Sequence, residues 1–110
     1  MDKKKSLEAF SALSQETRLD VFRLLIKVGP EGMTAGDIGE HLNVRQNTMS
    51  ANLSILSHAG LIRSVREGRS IRYFSDIGGV KGLLEFLLED CCGGKPELCQ
   101  PVITKIACLC

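Results

Sequence analysis

The chain has 110 residues, 44% of them apolar and 25% charged, with a formal net charge of +1. That length fits one compact domain, and the apolar share excludes a wholly disordered chain. No apolar run reaches the roughly 18–20 residues a spanning helix needs, and Met1–Lys5 lacks the apolar stretch of a secretory signal, so a cytoplasmic location without a membrane partner is expected.

Leu7 to Leu13 read as a short helix, with Ser14 as the N-cap of the next one. From Gln15, Leu19, Phe22 and Ile26 recur at helical spacing, widened by Val21, Leu24, Leu25 and Val28, until Gly29-Pro30 ends the run. Thr34 opens a second unit, with Asp37 placed as in a capping box. A short helix, Ala35–Leu42, buries Ile38 and Leu42 and breaks at Asn43. A longer helix from about Arg45 to Ala59 turns Met49, Leu53 and Leu56 inward and stops at Gly60. Two period-two segments, Leu61–Arg66 and Ser70–Ser75, join through Glu67-Gly68-Arg69 as a hairpin in which Gly68 supplies a positive φ. After the Gly78-Gly79 punctuation, Val80–Glu89 is a leucine-rich helix, apolar on more sides than the surface helix of a monomer needs, which points to a partner face. The chain then passes Cys91-Cys92-Gly93-Gly94, Pro96 and Pro101 into an apolar tail. The expected class is mainly α with a β-hairpin. Residues 1–90 form the folded domain and residues 91–110 a cysteine-rich tail.

Charge is distributed unevenly along the chain. Residues 1–42 carry a net −1, residues 43–75 a net +4 and residues 76–110 a net −2, and no Asp or Glu occurs between His41 and Arg66. A solvated helix mixes signs, so this acid-free stretch suits a surface that approaches phosphates. The short helix, the turn at Asn43 and the longer helix make a helix-turn-helix, and the hairpin after it makes a wing. Gln46, Asn47, Thr48, Ser50 and Asn52 on the longer helix are the candidates for base and phosphate contacts, with Ser54 and Ser57 beside them, because amides pair with adenine and hydroxyls bond bases or phosphates. In the wing, Arg63, Arg66, Arg69 and Arg72 alternate faces and cannot all reach one duplex. Arg66 and Arg69 are the candidates there, Arg69 foremost because it sits at the turn. The expected partner is double-stranded operator DNA.

The stretch Glu16-Thr17-Arg18-Leu19-Asp20-Val21-Phe22-Arg23-Leu24-Leu25 resembles the second helix of the ArsR/SmtB family of metal-responsive repressors. Gly36-Asp37-Ile38-Gly39-Glu40-His41-Leu42, Gln46-Asn47-Thr48-Met49-Ser50, Leu53-Ser54-Ile55-Leu56, Ala59-Gly60-Leu61-Ile62 and Arg66-Glu67-Gly68-Arg69 extend the resemblance over about residues 7–90. It implies a homodimeric winged helix-turn-helix repressor, joined through its first and last helices, that leaves its operator when metal binds. Three departures stand out. The helix Ala35–Leu42 lacks the Cys-x-Cys pair of many members, the last helix lacks the Asp/His/Glu set of zinc sensors, and Arg45 stands where a capping Ser is usual.

All five cysteines, Cys91, Cys92, Cys99, Cys108 and Cys110, fall in the last 20 residues. Three thiolates from one short loop make a soft, compact site for a soft metal or metalloid. The Cys91-Cys92 pair after an acidic helix end, with Cys99 downstream, is similar to an arsenite-responsive subgroup of that family, which implies Cys91, Cys92 and Cys99 as ligands of trivalent arsenic or antimony. Cys108 and Cys110 are open: a substitute for Cys99, a second ion, or small apolar residues. Zinc held by four of the thiols, and a thiol redox switch, are the competing readings. Against the switch, Cys91 and Cys92 follow Glu89 and Asp90 at a helix C-terminus, where negative potential disfavours thiolates. No enzymatic activity is expected: the chain has only His41 and His58, no phosphate-cradling glycine loop and no CxxC pair.

Overall fold

The computed structural model describes residues 1–89 and 91–107, apart from the side chains at positions 91, 92, 96, 99 and 107. Its elements, in order, are α1 (Lys3–Leu13), α2 (Glu16–Val28), β1 (Met33–Thr34), α3 (Ala35–Leu42), α4 (Gln46–His58), β2 (Ile62–Glu67), β3 (Ser70–Ser75), α5 (Ile77–Leu87) and α6 (Pro96–Ala107).

Helix α1 begins a turn earlier than its apolar pattern predicts, because Asp2 caps it and accepts from the Lys5 N–H at 2.8 Å. It buries only the small residues Ser6, Ala9 and Ala12, so its backbone lies close to its neighbours. Ser14 does not cap α2. Gln15 does, accepting from the Arg18 N–H at 2.8 Å, while the Ser14 hydroxyl donates back to the Ser11 carbonyl at 3.0 Å. Val21 and Leu25, one turn apart, form the buried stripe of α2; Leu19 and Ile26, expected inward, are each about two-fifths exposed at 42% and 41%.

Gly32, with φ of 62°, has no room for a side chain: a Cβ would meet the Tyr73 carbonyl and the Phe74 ring. That close approach lets the two-residue strand β1 pair with β3, Met33 opposite Tyr73 and Thr34 opposite Arg72, completing an antiparallel sheet in the order β1-β3-β2. Thr34 then caps α3, accepting from the Asp37 N–H at 3.2 Å as its spacing predicts. Asn43, the only described non-glycine residue with positive φ, ends α3 in the left-handed region at φ 56° and ψ 50°, where Asn is tolerated. Its backbone supplies the tight turn into α4.

The core joins Val21 and Leu25 of α2, Ile38 of α3, Met49, Leu53 and Leu56 of α4, and Leu61 and Ile62 at the start of the wing. Gly60, with φ of 79°, closes α4. Helix α5 starts at Ile77, capped by Asp76, whose carboxylate accepts from the Gly79 N–H at 3.2 Å. The Gly78-Gly79 pair is therefore inside the helix and not before it. Gly79 lies against the Gly60 carbonyl, where any Cβ would collide, so the two-glycine contact seats α5 on the end of α4. The cysteine-rich segment also departs from expectation: a single 3₁₀ turn, Cys91–Gly94, leads into helix α6, which contains Pro101.

Candidate nucleic-acid interface

Helix α4 is half buried along its length, and its buried side sets what its other side presents. Met49, Asn52, Leu53 and Leu56 are interior. At 100° per residue the opposite side is centred on Asn47, Ser50, Ala51 and Ser54, all exposed. Gln46 and Thr48 flank it and are also exposed. Gln46 Nε2 donates to the Ala35 carbonyl at 3.3 Å and its side chain lies over Gly39, so part of its hydrogen-bonding capacity already ties α4 to α3. Asn47 Oδ1 accepts from the Thr48 N–H at 2.9 Å, which leaves its amide NH₂ outward.

Asn52 is corrected by the structure. It was a candidate base reader, but only 7% of it is exposed, and its Oδ1 accepts from Arg18 Nη1 at 3.2 Å. Its position, three residues after Met49 and four before Leu56, places it on the interior face. The same 3–4 spacing that marks the apolar residues marks Asn52, and that signal was available in the sequence.

The wing sorts its arginines by strand register. Arg63 lies opposite Phe74, Val65 opposite Arg72 and Arg66 opposite Ile71, so Arg63 and Arg72 share one face and Arg66 takes the other. Arg72 is committed to structure: Nε pairs with Glu67 Oε1 at 2.9 Å, and Nη1 donates to the Glu31 and Gly32 carbonyls at 3.1 and 3.4 Å. Arg63 stacks over the Phe74 ring with its guanidinium carbon 4.4 Å from the centroid. Arg66 folds over the turn, its Nε donating to the Gly68 carbonyl at 3.3 Å. Arg69 is exposed in the two-residue turn, next to Gly68 with φ of 62°, the glycine-first pattern of a type II′ hairpin turn. The tip thus presents Arg66 and Arg69.

Arg45, exposed in the N-cap position of α4 with extended φ and ψ of −64° and 146° and no side-chain cap bond, adds a cation at the helix entrance. Among the described residues the recognition helix and the turn just before it contain no carboxylate; the wing holds Glu67, which is paired with Arg72, beside the cationic Arg66 and Arg69.

Of the thiols, Cys91 and Cys92 lie in the 3₁₀ turn after α5 and Cys99 in α6. The side chains of these three, and the whole of Cys108 and Cys110, lie outside the described residues. Gly93 and Gly94, with φ of 63° and 81°, turn the chain between the pair and α6.

A helix-turn-helix domain family matches residues 13–65, the segment from the end of α1 to the middle of the wing. The transcriptional repressor SdpR of Bacillus subtilis is 44% identical over 64 residues, spanning 58% of this chain and 68% of that protein. An ArsR-like transcriptional regulator from Rhodococcus sp. RHA1 superposes with a TM-score of 0.69 at 28% identity, covering 94% of this chain and 93% of that one. The homodimeric winged helix-turn-helix DNA-binding domain Mb0332 from Mycobacterium bovis shares the fold, with a TM-score of 0.62 at 24% identity over 79% of this chain and 81% of that one.

Proposed function

The chain belongs to the ArsR-like winged helix-turn-helix transcriptional regulators, and from that premise we propose that it represses transcription as a homodimer and leaves its operator when trivalent arsenic or antimony binds Cys91, Cys92 and Cys99. The observation that carries the DNA-binding half is the outward, carboxylate-free face of α4, together with the two arginines at the wing tip. Asn47, Ser50 and Ser54 face out along the helix, with Arg45 at its entrance and Arg66 and Arg69 at the tip. Polar side chains that carry both donors and acceptors read base edges, and arginines hold the flanking phosphates.

The dimer half is supported by apolar surface. Leu7 and Phe10 on α1, Ile77, Leu84 and Leu87 on α5, and Leu88 just after it are all more than two-fifths exposed, a concentration that a monomer in water does not keep. Two copies joined there would present two recognition helices to successive major grooves. The sensing half is supported by three thiols within nine residues, on a turn and a helix that directly follow α5. Trivalent arsenic takes three sulfur ligands, and ordering that segment would act on the end of the interface helix.

The test is anisotropy of a labelled duplex that the wild-type protein has enriched from a random library, titrated in parallel with arsenite, zinc and peroxide. Release by arsenite in the micromolar range, lost in the Cys91→Ser and Cys92→Ser variants, is the expected result. Release by peroxide or zinc alone, or arsenite release that survives both substitutions, overturns the sensing mechanism.

A further inference from the structure

Arg18 joins three helices through one guanidinium. Its Nε donates to the Ala12 carbonyl at 2.7 Å, Nη1 to Asn52 Oδ1 at 3.2 Å and Nη2 to the Ser11 carbonyl at 3.5 Å. Ser11 and Ala12 belong to the last turn of α1, where a cation is favoured; the Ser11 carbonyl also accepts from the Ser14 N–H and hydroxyl. Asn52 sits in the middle of α4, on its interior face. The Arg18 backbone is itself fixed by the Gln15 cap of α2. Three donors of a planar five-donor group are thus used by the protein's own groups, and the residue is half-buried.

We propose that Arg18 and Asn52 are positioning residues for DNA recognition: the bracket sets the angle of the recognition helix α4 against α1, without either side chain touching DNA. Two half-sites are met only when both recognition helices hold one spacing and angle, so a loosened α4 loses the specific complex while phosphate attraction remains. The inference rests on the reading of α4 as the DNA-contacting helix and α1 as a dimer helix.

Asn52→Asp separates the bracket from a base contact. A carboxylate keeps the acceptor and strengthens its bond to the guanidinium, whereas a carboxylate aimed at DNA repels it. The probe is the duplex enriched by the wild-type protein, compared with a scrambled duplex of equal length, with thermal midpoint and dimer mass followed for each variant. Asn52→Asp is expected to stay within about threefold of wild type. Asn52→Leu and Arg18→Gln should each weaken the enriched duplex by about tenfold or more, the worth of a hydrogen bond to a charged group. They should leave scrambled-duplex binding and the salt slope unchanged. The double variant should be no weaker than the weaker single one. Equal losses in Asn52→Asp and Asn52→Leu, full binding by Asn52→Leu, additive losses, or losses that track the unfolded fraction each overturn the proposal. A wild-type protein that enriches no duplex overturns the underlying reading instead, and the proposal with it.

Discussion

Arg69 and Arg72 stand three residues apart in the wing and do opposite work. Arg72 is pinned by Glu67 and by the Glu31 and Gly32 carbonyls, whereas Arg69 is exposed in the turn. Replacing Arg69 by Ala should weaken binding to every duplex and make the log–log salt slope shallower by roughly 0.9, the share of one neutralised phosphate. A loss confined to one base position would show instead that Arg69 reads sequence. The glycines of α3 make a second residue-level contrast. A Cβ on Gly36 would meet nothing within 4 Å, while one on Gly39 would press on the Val44 carbonyl at 2.9 Å and on the Gln46 side chain. Gly36→Ala should therefore raise stability by about 0.5–1 kcal/mol through helix propensity. Gly39→Ala should lower it by about 1–3 kcal/mol, because it forces the turn between the two DNA-binding helices apart. Urea melts of the two variants check both signs.

At the scale of elements, the recognition helix begins on a residue that serves its start poorly. Arg45 gives α4 no side-chain cap, and a Ser there would accept from an orphan N–H. Arg45→Ser should stabilise the fold by about 0.5–2 kcal/mol and at the same time weaken DNA binding, because it removes a cation from the entrance of the recognition helix. Gains in both, measured by melting and anisotropy, would rule out a DNA role for Arg45. This helix was legible in the sequence because its apolar residues repeat at helical spacing; so were α3, with its Thr34 cap, and the hairpin, with its Gly68 turn. Two of the misses share a cause, a partner distant in sequence. Gly78 and Gly79 read as a break, yet Gly79 is required inside α5 by the Gly60 carbonyl. Strand β1 spans only two residues, too few for any alternation, and exists because β3 lies beside it. Helix α6 was hidden by Pro96 and Pro101. A proline is at home in the first position of a helix, but the second lies inside α6 and removes one backbone bond. At the candidate site, the exposed polar side chains and Arg69 were legible from composition and turn chemistry. Arg18 was not, because nothing in an amphipathic pattern says that a charged side chain will reach across to carbonyls of another helix.

The molecule is more extended than a compact chain of its length, and its surface carries large apolar side chains that the proposed dimer would cover. Its Cα radius of gyration is 15.6 Å and its axes measure 50 × 29 × 24 Å, against about 13 Å expected for a compact chain of this length. Helices α1 and α5 touch, so Leu7 and Phe10 on one and Ile77 and Leu87 on the other, 60%, 41%, 62% and 51% exposed, can act as one patch. That patch lies on the helix that leads into the thiol segment, and α1 is the helix held to α4 by Arg18. A partner copy on it would therefore feel both the sensing end and the reading end of the chain. Leu87→Glu places a charge among these exposed apolar residues while leaving the core residue Leu83 alone. It should give a monomer by sedimentation equilibrium with its helical circular dichroism retained. Affinity for the enriched duplex should fall by about two orders of magnitude or more, since each half-site would be bound without the effective concentration that the second supplies. A variant that still sediments as a dimer would place the interface elsewhere. A monomer that bound the duplex as tightly as wild type would mean that one recognition helix and one wing suffice, and the coupling of thiols to DNA through the dimer would fall with it.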